Sequence, residues 1–297
     1  MRIRDWRFIE PPAVGALYEG ERRRWLADLG WDTAEAWSEI EKARGAGRLP
    51  GLLAVDDAGR VCGWTYFLID DRIAQVGSLV SESPDATRAL IESVVARARR
   101  HAECVTCFSY SQAPDVEAEL VRHDFEITRY RYLSRTSTGL EPVRADGADT
   151  WRAGDERPVA ELLRAAYGSN GRYFAAHGLP EEWERYVHNL VEYPGCGRFD
   201  PLATRVLRED GRVIALVMVT ELGPGVSHVA QVAVHPDHRG RGLAGTLLDR
   251  ALGRAAAAGR SRTTLLVEEG ASAARTLYAR RGFGPCATFI AARRDLR

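Results

Sequence analysis

Two arginines and two glycines separate a short apolar segment from a predicted helix in the stretch VAVHPDHRGRGLAGTLLDRAL, residues 232–252. Gly240 and Gly242 let the backbone approach a bound anion closely, and Arg239 and Arg241 add formal positive charge. The free N–H groups and the dipole of the following helix favour an anion at the same place. The stretch therefore predicts a phosphate-binding turn, although a turn that only joins a strand to a helix has similar composition.

A second segment with possible chemistry is SAARTLYARRGF, residues 272–283, which predicts a helix that ends at Gly282. It carries Tyr278, whose phenol has an unperturbed pKa of about 10 and is protonated at neutral pH. Such a group can donate a proton to a leaving thiolate. Without other signals, a tyrosine on this helix would be interpreted as a packing residue.

Taken together, the two segments resemble the GNAT superfamily of N-acetyltransferases. Arg239, Gly242 and Ala244 match its pyrophosphate signature, Gln/Arg-x-x-Gly-x-Gly/Ala, and residues 277–283 match its Leu-Tyr and Gly-Phe signature. The resemblance covers about residues 150–297 and departs from the family at Ala271, where asparagine is usual. The stretch contains neither the GxGxxG nor the GK[ST] pattern of other phosphate-binding loops.

The resemblance implies that acetyl-CoA is the cofactor and that Tyr278 is the general acid. It also implies that a strand splays from its neighbour and pairs its backbone with the pantetheine arm. The residues that it assigns to the cofactor are Val232, Ala233, Val234, Arg239, Gly240, Arg241, Gly242, Leu243, Ala244, Gly245 and Tyr278.

The general base is left open by the sequence. His228 lies on the strand before the phosphate turn, and its alternation with Gln231 predicts that the two side chains face opposite sides. Glu221 and Glu268, on the two neighbouring predicted strands, are alternative bases, and water is another. The glycine-rich aromatic loop before them predicts an acceptor pocket lined by Tyr167, Asn170, Tyr173 and Phe174.

The N-terminal half repeats the order of helices and strands of the C-terminal half at an offset of about 154 residues. The fold class expected is α/β (α+β): two tandem GNAT-like domains, residues 1–140 and 141–297, each a mixed, mostly antiparallel twisted sheet flanked by helices. The first copy has no glycine turn before its helix, carries Glu82 and Asp85 there, and has Leu120 in place of Tyr278. We therefore expect that it does not bind the cofactor and that it supports the active half.

Composition excludes several other classes of protein. The 297 residues are 45% hydrophobic and 28% charged with zero net charge, which favours neither nucleic acid nor membrane as a partner. The N-terminus lacks the apolar segment of a signal peptide, and the longest apolar run is too short to span a bilayer. Arginine-rich basic charge and five scattered cysteines are typical of a bacterial, cytoplasmic protein, and the lone Cys104–Cys107 pair predicts buried thiols rather than a metal site.

The resemblance implies an N-acetyltransferase that moves acetyl from acetyl-CoA to a primary amine by direct attack in a ternary complex. We expect that amine to belong to a small molecule. A protein N-terminus or lysine is an alternative acceptor. A non-catalytic acetyl-CoA-binding sensor or interaction module is an alternative of another class. We expect a monomer, which the two halves make a pseudo-dimer, or a homodimer.

Overall fold

The computed structural model describes residues 1–110, 114–140, 150–168, 175 and 177–296. Its strands are β1 (Arg2–Asp5), β2 (Gly51–Val55), β3 (Val61–Asp70), β4 (Ile73–Ser81), β5 (Cys104–Tyr110), β6 (Glu126–Thr136), β7 (Arg198–Phe199), β8 (Arg205–Glu209), β9 (Arg212–Gly223), β10 (Val226–Val234), β11 (Arg262–Glu268) and β12 (Gly284–Asp295). Its helices are α1 (Pro11–Leu29), α2 (Ala34–Gly45), α3 (Pro84–Ala98), α4 (Pro114–Arg122), α5 (Glu156–Tyr167), α6 (Pro180–Glu192), α7 (Leu243–Ala257) and α8 (Ser272–Ala279). No helix among these is long and apolar enough to cross a membrane.

Both halves have the same internal order, in which two helices precede an antiparallel run of strands. In the N-terminal half, α1 and α2 are followed by β2, β3 and β4, then α3, β5, α4 and β6. In the C-terminal half, α5 and α6 are followed by β8, β9 and β10, then α7, β11, α8 and β12. The fold is therefore a mixed, mostly antiparallel sheet with flanking helices in each half, as the sequence predicts.

The two halves exchange their last strands within one continuous sheet. The strand order is β1-β2-β3-β4-β5-β12-β6-β11-β10-β9-β7, and β8 pairs with β9. Thus β12 of the C-terminal half pairs with β5, and β6 of the N-terminal half pairs with β11. Each half thereby supplies a strand to the sheet of the other.

Helices cover both faces of the sheet in the C-terminal half. On one face, α7 and α8 pack on Val217, Val219 and Val229 in an apolar cluster. On the other face, α5 and α6 pack on Leu216 and Met218. These alternating contacts along β9 fix which side chains of β10 face each layer.

Candidate functional site

The strands β10 and β11 separate halfway along their length. They pair in parallel from Val226 with Arg262 to Val229 with Leu265, and their pairing ends there. Beyond that point β10 stays paired with β9 through Val234. The backbone of Val232, Ala233 and Val234 therefore faces a wedge between β10 and β11 rather than a neighbouring strand.

A bulge in β10 lies where the two strands separate. The register with β9 shifts between Val229 and Gln231, so that His228 is opposite Thr220 and Gln231 is opposite Met218. Thr220 and Met218 are two residues apart on one face of β9. The prediction that His228 and Gln231 face opposite sides is therefore wrong, because the extra residue of the bulge reverses the alternation.

The turn after β10 presents free backbone donors. Gly240 and Gly242 both have φ of +77°, a left-handed conformation that glycine adopts without strain. Gly242 caps α7 without a side-chain hydrogen bond, and Arg239 donates from Nη2 to the carbonyl of Ala166 at 2.7 Å. The first N–H groups of α7 are thus open to an anion, with Arg241 on the same exposed turn.

An unpredicted arginine lies beside this turn. A Cβ atom added to Gly245 would come within 2.5 Å of Nη2 of Arg281. That guanidinium donates to both carboxylate oxygens of Asp249, from Nε at 2.7 Å and from Nη2 at 2.9 Å. Gly245 therefore makes room for an arginine that joins the end of α8 to the first turns of α7.

The equivalent turn in the N-terminal half has fewer free backbone donors. The side chain of Ser83 caps α3 by accepting from the N–H of Ala86 at 3.3 Å, and Pro84 occupies the first turn without an N–H. Glu82, just before the cap, is ion-paired with Arg60 at 2.8 Å. Fewer free donors and local negative charge make this turn less favourable to an anion than the turn at Gly242.

Tyr278 is buried on α8, where it packs against Phe283 with ring centroids 6.0 Å apart. Burial raises the pKa of the Tyr278 phenol to about 12. The group therefore stays protonated at every physiological pH and can donate a proton.

A hydrogen-bonded trio connects the splayed strand to α6. The Tyr167 hydroxyl lies 2.7 Å from Oε1 of Gln231 and 3.3 Å from the carbonyl oxygen of Val232. The amide of Gln231 donates in turn to the Tyr186 hydroxyl. Tyr167 also stacks on Trp183 at 5.9 Å. The other predicted acceptor residues, Asn170, Tyr173 and Phe174, lie outside the described residues.

The N-terminal half contributes Tyr130 to this region, which sequence reasoning missed. Tyr130 is on β6, opposite Glu268 of β11, beyond the point where β10 leaves β11. Burial, with a smaller effect of the Glu268 carboxylate, raises the pKa of Tyr130 to about 12. Burial also raises the pKa of Tyr167, with smaller contributions from the nearby phenols of Tyr278 and Tyr130. Tyr130 reaches this region because β6 is exchanged into the other half, and no local sequence pattern indicates that exchange.

The three predicted bases have different surroundings. Both carboxylate oxygens of Glu221 accept from Arg260, at 2.5 and 2.7 Å, near the closed end of the wedge. His228 is buried just below the wedge, with its Nδ1 2.9 Å from the Thr264 hydroxyl, and burial lowers its pKa to about 3. Glu268 is exposed at the open end of β11.

The buried imidazole of His228 leads to a prediction about stability. Its folded-state pKa of about 3 lies below its unfolded value of about 6.5, so the unfolded chain binds more protons between these values. The contribution of His228 to stability is present above pH 6.5 and is lost as the pH falls. As the pH falls from 7 to 5, the wild type should lose unfolding free energy because of His228. We expect His228→Phe to lose about 2 kcal/mol less over the same pH range, measured by urea denaturation. Equal pH slopes for wild type and variant would contradict this.

The two cysteines of the C-x-x-C pair are buried thiols. Burial raises the pKa of Cys107 to about 12 and also raises that of Cys104. Within the described ranges, no group of three or more histidine, cysteine, aspartate or glutamate side chains is placed to hold a metal ion.

A cavity of about 410 Å³ lies between the two halves, and we call it the cleft. Both halves line it, and Tyr186 joins it to the Gln231 trio described above. The lining residues are Trp25, Trp31, Leu68, Asp70, Ile73, Gln75, Val76, Gly77, Thr106, Phe108, Glu182, Arg185, Tyr186, Asn189 and Gly195.

Comparison with known proteins agrees with this geometry. Residues 160–283 match the acetyltransferase (GNAT) family. Over 173 residues the chain is 30% identical to the mycothiol acetyltransferase of Beutenbergia cavernae, a match that covers 54% of this chain and 58% of that protein. The chain thus spans a little over half the length of this curated relative.

Two solved structures share the fold across most of the chain. A GCN5-related N-acetyltransferase from Sphaerobacter thermophilus superposes with a TM-score of 0.69 at 19% identity, covering 99% of this chain and 96% of the other. A tandem GNAT protein from the clavulanic acid biosynthesis pathway superposes with a TM-score of 0.53 at 16% identity, covering 84% and 83%. The family match includes the splayed strand, the glycine turn and Tyr278, so residues 160–283 of this chain are similar to the GNAT family of acetyltransferases.

Proposed function

We propose that the protein transfers the acetyl group of acetyl-CoA to a primary amine of a small molecule, by direct attack in a ternary complex. The observation that carries the proposal is the wedge between β10 and β11, which leads from uncapped N–H groups at Gly242 toward buried Tyr278. An elongated thioester with a pyrophosphate at one end fits this arrangement of donors. When bound, it would supply the activated acetyl carbonyl.

Each step of the transfer has a matching group in the wedge. The bulge turns the backbone of β10, so that an N–H group of residues 232–234 can polarise the thioester carbonyl as charge develops on its oxygen. The amine nitrogen forms the new bond to the carbonyl carbon, and the carbon–sulfur bond breaks. Tyr278 then gives its proton to the departing thiolate and is afterwards reprotonated from solvent.

We propose Glu268 as the group that takes the proton from the attacking amine, directly or through water. It is exposed at the open end of the wedge beside Tyr130, whereas Glu221 is bound by Arg260 and His228 is a weak, buried base. We place the acceptor in the cleft, because its lining residue Tyr186 is hydrogen-bonded to Gln231 of the splayed strand.

The choice of base predicts unequal effects of two matched substitutions. Glu268→Gln should lower kcat/KM by about 100-fold, because general-base catalysis contributes on that order. Glu221→Gln, which removes an equal charge from a neighbouring strand, should change kcat/KM less than about threefold. A larger loss in Glu221→Gln than in Glu268→Gln would reverse the assignment.

The proposed function is tested by titration calorimetry with acetyl-CoA, followed by thiol release with a panel of primary amines. Micromolar binding together with amine-dependent thiol release is the expected result. Binding without turnover of any amine would favour an acetyl-CoA sensor, and thiol release only with peptides would favour a protein acceptor. Absence of binding would overturn the proposal.

A further inference from the structure

A second cavity, of about 280 Å³, lies over the N-terminal half. Helices α1 and α2 and strands β3 and β4 enclose it, and residues 193–195 of the C-terminal half close one side. It shares Trp25, Gly77 and Gly195 with the cleft. The two cavities are therefore neighbours with a common wall, and together they form one groove along the sheet.

The walls of the second cavity are aromatic and rigidly packed. A Cβ atom added to Gly77 would come within 2.0 Å of the Tyr66 ring, so the ring lies flat across the strand at this glycine. Tyr18 stacks on Trp37 with ring centroids 4.0 Å apart and donates to the carbonyl of Thr33 at 3.1 Å. Tyr193, on the facing side, is 58% exposed and offers a further ring.

Carboxylates accompany these rings. Glu21 and Glu39 line the second cavity, and Asp70 and Glu182 line the cleft. Arg185 is the single cationic residue among the described lining residues, and it is ion-paired with Asp70 and Asp71. Aromatic faces combined with carboxylates recognise cationic ligands.

Hydrogen bonds fix the Glu21 carboxylate in a position where it could bind a cationic ligand. It is largely buried, and its Oε1 accepts from Nε1 of Trp25 and from Nη2 of Arg24, both at 2.6 Å. Glu39 is more exposed and is paired with Lys42 at 2.7 Å. Neither Arg24 nor Lys42 lines the groove, so the face presented to a ligand there is acidic and aromatic.

The groove is long compared with a simple amine. Four strand-to-strand steps separate β11, at the wedge, from β4, where Gly77 lies. At about 4.8 Å for each step, the second cavity is about 19 Å from the proposed point of transfer. A ligand that occupies both cavities must be extended.

We propose that the acceptor is an elongated small-molecule amine with a second cationic group, which Glu21, Glu39 and the surrounding rings bind in the second cavity. This inference rests on the proposed function and adds the class of acceptor. The reacting amine enters the wedge past Tyr186 while the distant cation stays beside Trp25 and Tyr66. Affinity for the acceptor should therefore depend on a region far from the cofactor.

The test compares butylamine, 1,4-diaminobutane, spermidine and spermine as acceptors for the full chain at saturating acetyl-CoA. We expect kcat/KM to rise at least tenfold from butylamine to spermine. Glu21→Gln combined with Glu39→Gln should remove that increase, mainly through KM, and leave the value for butylamine unchanged. Glutamine preserves the acceptor for Trp25 Nε1, which protects the fold. Glu35→Gln, on α2 but not lining the cavity, is the matched control and should behave as wild type.

The outcomes separate the two proposals. Turnover of short and long amines with equal kcat/KM, or an equal loss for all acceptors in the double variant, would overturn the groove assignment and leave the acetyltransferase proposal standing. Long peptides as better acceptors than spermine would also overturn the small-molecule assignment. Failure of every amine to release thiol would count against the proposed function itself. Calorimetric binding of spermine, weakened about tenfold in the double variant but not in Glu35→Gln, would support the groove without turnover.

Discussion

Gly242→Glu should weaken acetyl-CoA binding by at least about 100-fold, with Kd measured by titration calorimetry. The substitution puts a carboxylate where the uncapped N–H groups of α7 are open to an anion, so it competes with and repels a phosphate. The space at this glycine is open, with no atom within 4 Å of an added Cβ. The loss therefore comes from charge at the site and not from a clash in the core.

Gly259→Glu is the matched control for this effect. Gly259 has the same φ of +77° and equally open surroundings, but it follows the other end of α7. A helix of 15 residues places it about 22 Å from the turn. Left-handed strain costs roughly 1–2 kcal/mol in both variants. Equal loss of cofactor binding in the two would show that strain, not the phosphate site, is responsible.

The second large effect is expected for Tyr278→Phe, which should lower kcat by about 100- to 1,000-fold and leave the Kd for acetyl-CoA within twofold. In the proposed mechanism the phenol acts only when the thiolate leaves, so its removal should affect the transition state and not cofactor binding. Because the pKa of Tyr278 is about 12, wild-type activity should show no alkaline loss from this group below about pH 10.

Tyr110→Phe provides the comparison for Tyr278→Phe. Tyr110 is also a buried tyrosine, and its hydroxyl lies 3.2 Å from Oδ2 of Asp28, away from the wedge. Its substitution should cost about 1 kcal/mol of stability and little activity. If both variants lose activity in proportion to their loss of unfolding free energy, Tyr278 has only a structural role.

Local sequence patterns predicted the helices and strands of this chain well, but they predicted poorly which strands pair with each other. The predicted strands that carry Glu221, His228 and Glu268 are present as β9, β10 and β11, because apolar sequence marks strands that pack against helix layers. The helix predicted after the glycine turn begins at Leu243, because Gly240 and Gly242 both adopt left-handed conformations that a helix does not contain. The strand Arg2–Asp5 was not predicted, since four residues carry too little periodicity.

The residues of the candidate site also differ in whether local sequence could predict them. The turn at Gly240 and Gly242 could be found because its chemistry depends on residues adjacent in sequence. Tyr130 and the ring of Tyr66 could not, because β6 and β4 reach their positions through pairings between distant segments. The bulge at Ala230 was also missed, because one extra residue leaves no mark in composition. The bulge changes the face of the sheet to which the Gln231 side chain points.

The exchange of β6 and β12 bears on how the chain acquires its structure during synthesis. Strand β12 is made after every other described strand, yet it fills the place between β5 and β6. Until it arrives, β5 presents an unpaired edge beside the largely buried thiols and aromatic rings of the N-terminal half. The nascent chain therefore carries an aggregation-prone edge from the synthesis of β5 until β12 is made, and its folding depends on contacts between distant residues. A cut between the halves would leave two incomplete sheets, so we expect a truncation that removes β12 to destabilise both halves of the chain.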